Sequence, residues 1–386
     1  MNTTLLTVIA GVLGFWMIMF IAFGREEVDP ETGQPIEKEE GLEVGMFMLM
    51  WRTKRFLNFI DGLARRSPRL WRVYADVGIV FGFAGMVYVF YALARTAAVA
   101  VKTGGKAAGV QLVVPGLTIP LWYGLVGLAV VLIVHELSHG VVARSNGLPL
   151  KSVGLALLVV LPGAFVEPDE EELKRASLRK RLRVYGAGSL ANMVTGLIAA
   201  IIIGVAVLPL FQPAGISVVS VLPNTPASGT LQAGDIITAI NGHPVSTMTD
   251  FIKFMNTTKP GQVITVEFTR KGVQKSVKIT LTNDPYKKGK GFIGIRVAQH
   301  FRSRVGHKDV VFPLYFSLYW IYMLNIGIGL MNLFPLIPLD GGRMLDDVLK
   351  RLLPKRVVNP VRYTIIGVGL ILFALNFWPA LMNLSR

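Results

Sequence analysis

Six separate stretches of this chain, 4–23, 77–94, 120–143, 185–211, 311–334 and 363–382, run as long apolar segments almost free of charge. A helix needs about 20 apolar residues to cross a hydrocarbon core of about 30 Å. In that core every backbone N–H and C=O must be satisfied internally, which leaves helices and closed barrels as the spanning structures. Six such runs in 386 residues predict a polytopic α-helical membrane protein. The first run has no Lys or Arg before it, so it reads as a retained span rather than a cleaved signal. Disorder is excluded by 52% hydrophobic against 17% charged residues. With no cysteine, a disulfide scaffold and a Cys-based zinc ribbon are excluded as well.

Basic residues set the expected topology. The loops 24–76, 144–184 and 335–362 hold 23 Lys and Arg, against four in the short segments on the opposite side. The excess marks the first set as cytoplasmic. Residues 25–43, with eight acids and two bases, read as a solvated stretch. In 52–72, Phe56, Leu57, Phe59, Ile60 and Leu63 recur at helical spacing among seven bases. That pattern fits either an amphipathic helix on an anionic leaflet or a linker packed on the membrane domain. The net charge of +16 is thereby explained by topology and by an external segment, 212–310, carrying 13 bases and five acids. No nucleic-acid motif accompanies it, and anionic head groups or acidic substrate stalks are its expected contacts.

The segment 213–298 is polar and turn-rich. Strands are expected at 217–222, 236–240, 263–269 and 273–281, with Asn241-Gly242 and Lys271-Gly272 as turns and a short helix opening at Thr249-Asp250. At Leu231–Val245 (LQAGDIITAINGHPV) this module resembles a PDZ domain of the kind carried by bacterial proteases. Ala214, Gly215 and Ile216, before its first strand, are its candidate carboxylate-binding loop. The expected divisions are 1–76 (first span and cytoplasmic loop), 77–212 (first part of the membrane domain), 213–298 (PDZ-like) and 299–386 (second part).

Within the third span lies VVLIVHELSHGVVA, residues 130–143. His135 and His139, four apart, share one helix face and can pinch a metal ion, and Glu136 is placed to act as general base toward a water. Zinc suits imidazole ligands and an open coordination position. Charge at the centre of a spanning helix costs roughly 2.5–3.5 kcal/mol and marks a functional site. A third ligand is needed. His243, His300 and His307 fall outside the membrane by topology, leaving Glu167, Asp340, Asp346 and Asp347. Asp340, in MNLFPLIPLDGGR, ends the fifth span at the depth of His139, yet it reads equally well as the cap of a helix starting at Gly341. Asn332 is placed to hold a scissile carbonyl or its oxyanion.

HELSH at 135–139, GAFVEP at 163–168, GSLAN at 188–192 and NLFPLIPLDGG at 332–342, with a PDZ-like module between the fourth and fifth spans, resemble the site-2 protease family of intramembrane zinc metalloproteases. The resemblance covers roughly 120–345. It implies one zinc held by His135, His139 and Asp340, water activation by Glu136, and Asn332 beside the site. It further implies transmembrane protein substrates already trimmed by another protease, cut near the cytoplasmic face. Ser138, Ser189 and Ile337 depart from the family's usual glycine, proline and proline; none is a ligand.

Two further expectations concern substrate. Lys151–Leu161, apolar but too short to span, reads as a re-entrant strand or hairpin. Its edge, at Gly154 and Leu155, is expected either to take up an unwound substrate by strand addition or simply to pack in the core. Asn192, on the fourth span, is expected either to contact substrate or to pack between helices. Two other functional classes fit the intramembrane polar residues: an ion- or proton-coupled transporter and a zinc-retaining inactive scaffold. The HExxH spacing and the lack of inverted repeats favour the protease.

Overall fold

The computed structural model describes residues 3–24, 40–45, 47–104, 113–159, 161–285, 287–306 and 308–384. The acidic stretch 25–39 and His307 therefore lie outside the described residues. The chain forms two compact units, residues 1–200 with 316–386, and 201–315.

The first unit begins with α1 (Thr3–Phe23), β1 (Gly41–Gly45), β2 (Met48–Thr53), α2 (Leu57–Arg66), α3 (Pro68–Lys102) and α4 (Leu121–Ser145). It continues through β3 (Leu150–Leu158), β4 (Leu161–Pro168), α5 (Glu170–Arg175) and α6 (Leu178–Ile202). The second unit contributes β5 (Phe211–Val221), β6 (Ile236–Ile240), β7 (His243–Pro244), α7 (Met248–Thr257), β8 (Val263–Arg270) and β9 (Val273–Thr280). It closes with β10 (Thr282–Asn283), β11 (Gly291–Phe292) and β12 (Ile295–Ser303), and α8 (Lys308–Met331) leads back to α9 (Asp340–Leu352) and α10 (Lys355–Leu384).

Among the described residues, five helical segments are long and apolar enough to cross a membrane: 68–102, 121–145, 178–210, 310–331 and 355–378. The first apolar run is helical too, as α1. It touches the rest of the unit through Trp16, which is 2% exposed and donates its indole N–H to the Val159 carbonyl at 2.8 Å. Elsewhere the apolar side chains point outward, as Val80 and Val87 do, which suits a hydrocarbon surrounding. α3 and α6 meet backbone to backbone at Gly78 and Gly186, where a Cβ on Gly186 would lie 2.6 Å from the Gly78 oxygen. Asp76 locks the pair by accepting from both Arg179 and Arg183 at 2.6–3.1 Å. α2 packs Ile60 and Ala64 into the cluster around Val141 and Val142, while Phe56 and Phe59 stay outside. The packed-linker reading thus describes one face of this helix.

The expected hairpin is present, and it is half of something larger. β1, β2, β3 and β4 form one antiparallel sheet in that order. Leu155 lies opposite both Trp51 of β2 and Ala164 of β4. β3 is therefore an inner strand, and Gly154 and Leu155 offer no free edge. Gly154 is small because the Phe165 ring and the Trp51 carbonyl crowd its α-carbon. The edge facing away from β3 belongs to β4.

In the second unit β12, β5, β6, β8 and β9 pair in that order, with β7 attached to β6. The turns fall at Asn241-Gly242 and Lys271-Gly272, all four residues with positive φ, as a tight two-residue hairpin requires. α7 opens with a capping box, Thr247 and Asp250 each accepting the other's backbone N–H. Ile216, Ile237, Ile240 and Ile264 are fully buried between sheet and helix. The sheet runs from Phe211 to Ser303, wider at both ends than the expected 213–298, because the last strand, β12, pairs with the first. That pairing also removes the expected carboxylate loop. Ile216 is laddered to both Gln299 and Ile237. The Gly215 N–H donates to the Ser246 carbonyl, and its own carbonyl accepts from Gln299. Ala214 precedes them within the same paired strand.

Candidate active site

α4 presents His135, Ser138 and His139 to the interior of the first unit, each 7–8% exposed. The Nε2 atoms of the two histidines stand 3.1 Å apart. Asp340 Oδ2 lies 3.2 Å from each of them. Asp340 reaches them because the chain after α8 doubles back. The Gly341 N–H donates to the Asn332 carbonyl at 2.9 Å. A Cβ on Gly341 would strike the Leu333 backbone, and one on Gly342 would strike the Leu336–Ile337 peptide. The fold-back needs glycine at both positions. Asp340 is the first residue of α9, and no side-chain cap is made at that terminus. The capping reading gives way to one in which the carboxylate faces the imidazoles.

The other three acidic candidates have partners elsewhere. Glu167 accepts from Arg52 and Ser152, Asp346 pairs with Lys350 and Arg362, and Asp347 pairs with Arg181. Among the described residues, His135, His139 and Asp340 form the one group of three metal-ligating side chains, with ligand atoms all within 4.8 Å.

The site fits a metal on three observations. Asp340 Oδ2 is buried and has no hydrogen-bond donor among the described residues apart from these imidazoles. His139 Nδ1 lies 2.7 Å from the Val184 carbonyl, which fixes the proton there and leaves Nε2 as a lone pair aimed at the carboxylate. Gly188 of α6 stands against the ligand atoms: a Cβ there would press on His139 Nε2 and lie 2.7 Å from His135 Nε2. A space is kept open where the two imidazoles and the carboxylate converge.

A cavity of about 680 Å³ opens onto this point, lined by His135, Glu136, His139, Asn332 and Asp340 and by β4 residues including Val166. Glu136 accepts the Val166 backbone N–H at 3.0 Å, which ties the glutamate to the β4 edge. Asn332 is on the cavity wall, as expected. Asn192 is not. It is fully buried behind His135, its Nδ2 3.0 Å from His135 Nδ1. Ser138, the departure from glycine, donates to the Ala187 carbonyl and meets the Tyr74 hydroxyl at 3.2 Å, tying α4 to α6 and α3. Sequence reasoning missed Val166 and Gly188. GSLAN was a visible motif, but nothing in it tells a packing glycine from one that clears a metal.

With this geometry in view, the relatives fall into place. The chain belongs to peptidase family M50, the site-2 protease family, whose model matches residues 123–375. It is a multi-pass membrane protein of a metalloprotease family. It is 30% identical over 308 residues to an uncharacterized protein of Methanocaldococcus jannaschii, covering 77% of this chain and 76% of that one. A membrane-bound transcription factor site-2 protease homolog of Arabidopsis thaliana is 25% identical over 199 residues, covering 50% of this chain and 39% of the relative. A zinc metalloprotease of Shouchella clausii is 26% identical over 233 residues, covering 47% and 53%. The chain thus spans about two-fifths and half of these last two. A PDZ domain of an SdrC-like protein of Listeria monocytogenes is 30% identical, covering 22% of this chain and 88% of that one, with a TM-score of 0.21.

Proposed function

We propose that this chain is a zinc-dependent endopeptidase that hydrolyses peptide bonds in or beside transmembrane segments, on the cytoplasmic side of the membrane. The observation that carries the reading is the convergence of two imidazole Nε2 atoms and one carboxylate oxygen at 3.1–3.2 Å, in a cavity that also holds Glu136. His135, His139 and Asp340 would hold the ion. When bound, zinc supplies Lewis acidity, polarising a carbonyl and making water a better nucleophile at neutral pH. Glu136 takes the proton from the attacking water and returns it to the leaving amine. The Asn332 amide steadies the carbonyl oxygen as charge builds on it.

A transmembrane helix keeps its carbonyls hydrogen-bonded, so the scissile segment must first unwind. Val166 turns its N–H away from β3 to Glu136, and residues two apart in a strand face the same way. Ala164 therefore offers its N–H and C=O along the β4 edge beside the cavity. A substrate strand laid on this edge would pass the metal point, which moves the strand-addition surface from β3 to β4. Pre-trimmed membrane proteins are the expected substrates, in regulated intramembrane proteolysis, with the PDZ-like unit outside the cell as gate or tether.

The test pairs zinc content with cleavage of a model transmembrane peptide in detergent, for native protein and Glu136→Gln. The expected outcome is unchanged zinc with cleavage reduced by about 10²–10⁴-fold, the range of general-base catalysis. Ion flux without cleavage would favour a transporter. Zinc without cleavage in the native protein would leave an inactive scaffold.

A further inference from the structure

Three positions of α6 spaced four apart meet the ligand histidines. The Val184 carbonyl takes the Nδ1 proton of His139, Gly188 leaves the space beside both Nε2 atoms, and Asn192 sits on Nδ1 of His135. Residues at i, i+4 and i+8 lie along one helix face. One face of α6 thus lies against the whole imidazole pair, with Val184 also reaching the cavity wall.

Asn192 has no exposed surface, and its Oδ1 is buried without a hydrogen-bond partner among the described residues. A buried amide oxygen left without a donor costs about 1–3 kcal/mol. The amide's oxygen and nitrogen are isosteric, and the hydrogen-bond network decides which one faces Nδ1. With oxygen toward the ring, Oδ1 accepts the Nδ1 proton. That orientation gives Oδ1 a donor, moves Nδ2 to the place Oδ1 held, and leaves the His135 Nε2 lone pair facing Asp340 and His139. With nitrogen toward the ring, Nδ1 must accept, the imidazole proton moves to Nε2, and that atom can no longer be a ligand.

We infer that Asn192 is a positioning residue for the metal centre, accepting the Nδ1 proton of His135 and so fixing the tautomer and ring plane that present Nε2. Its role is the side-chain counterpart of what the Val184 carbonyl does for His139. The inference rests on the zinc reading above. It also assigns Asn192 a place apart from the substrate cavity.

The experiment measures zinc affinity by chelator competition on the full chain in detergent, for native protein, Asn192→Leu and Asn192→Asp. Leu matches asparagine in size and removes the acceptor; Asp keeps the acceptor. Positioning predicts that Asn192→Leu loses about 10–100-fold in affinity, the usual effect of removing a ligand's outer partner. Asn192→Asp should stay within about threefold of native or bind more tightly, because a carboxylate is a stronger acceptor. A packing role reverses the order: Leu would be harmless and the buried charge of Asp harmful. Equal affinity in native and Asn192→Leu overturns the inference. If Asn192→Leu does not fold, Asn192→Ser, whose hydroxyl stops short of the ring, replaces it with the same expected loss. Native protein that binds no zinc would sink the zinc reading itself, a different outcome from either of these.

Discussion

In the 201–315 unit the buried side chains are Ile216, Ile237, Ile240, Ile264 and their neighbours, and the lysines of β9 stand outside. In the other unit Val80, Val87 and Ile133 are 58–72% exposed, while His135, Ser138, His139, Ser189, Asn192 and Asn325 are inside. The same sorting rule produces both arrangements. Where the surroundings are water, apolar groups gain by leaving them. Where the surroundings are hydrocarbon, that gain vanishes, and polar groups must find partners within the protein. In the helical unit the buried polar side chains therefore include struts between helices and members of the site. Asn376 is a strut, donating to the Leu93 and Leu372 carbonyls. The His135, His139 and Asp340 constellation is the other kind.

The sharpest test of this contrast comes from the smallest change. Gly188→Ala adds a methyl against both ligand imidazoles, whereas at Gly11 on α1 a Cβ would meet nothing within 4 Å. Gly188→Ala should reduce bound zinc per chain by about tenfold or more, on the scale of disturbing a ligand's surroundings, and Gly11→Ala should leave it unchanged. Zinc analysis of both purified variants decides the matter. Full occupancy in Gly188→Ala would show that the glycine serves helix packing alone.

A second test is a pair of valine- and isoleucine-to-alanine changes. Ile237→Ala in the second unit's core should cost about 2–5 kcal/mol, from lost burial plus a cavity. Val80→Ala, 72% exposed on α3, should stay within about 0.5 kcal/mol. Hydrogen exchange of the full chain, followed in peptides from β6 and from α3, separates the two. A comparable loss of protection around Val80 would mean that its face is covered by protein rather than by lipid.

Among the described residues of the second unit, Asp235 and Arg270 form a buried ion pair. Asp235, 1% exposed, accepts two hydrogen bonds at 2.7 Å from Arg270, which also donates to the Thr230 carbonyl. Burial alone would raise the Asp235 carboxyl, but Arg270 and the Gln232 N–H outweigh it and hold it below the ordinary carboxylate value. A carboxyl depressed in the fold contributes stability that is complete above its unfolded value, about 3.9, and is lost as pH falls through the folded value. Arg270→Met should remove about 2 kcal/mol at pH 7, below the ~3–5 kcal/mol of a fully enclosed pair because Arg270 keeps some exposure. It should also flatten the decline of β6 protection between about pH 5 and 2. An unchanged acid profile would show that the pair does not govern this unit's acid response.

How far the sequence announced all this differs between the units for the same reason. HELSH was legible because a Glu between two His has no place in an apolar run without a task. Asp340 was legible by its depth, but its choice of the imidazoles over a helix cap depends on Gly341 and Gly342 letting the chain fold back, which spacing does not encode. In the second unit the alternation of Val263–Arg270 and the Asn241-Gly242 turn announced themselves. β12 did not, because register shifts at Arg296/Val297 and Gln299/Phe301 break its alternation. β1 and β2 were hidden for a different reason. Met48–Thr53 is a run of apolar residues ending in Arg52 and Thr53, with no period of two, and its partner β3 begins about a hundred residues later. That unseen strand overturned the first choice of substrate edge.

The smallest expected effect bears on that edge. Ala164 has the outward-facing orientation of Val166, so Ala164→Pro removes one N–H from the β4 side that faces the cavity and leaves the ladder to β3 unbroken. Ala156→Pro, on the inner strand β3 between β2 and β4, would break that ladder and serves as the structural control. If an unwound substrate adds to β4, Ala164→Pro should lower cleavage about tenfold, the worth of one lost hydrogen bond of about 1–1.5 kcal/mol, with zinc content and thermal midpoint unchanged. The loss should sit in KM rather than in kcat, because the missing contact is made equally by bound substrate and transition state. Cleavage at the native rate would place the substrate backbone elsewhere in the cavity. A loss confined to kcat would point instead to Glu136, whose only backbone partner among the described residues is the neighbouring Val166 N–H.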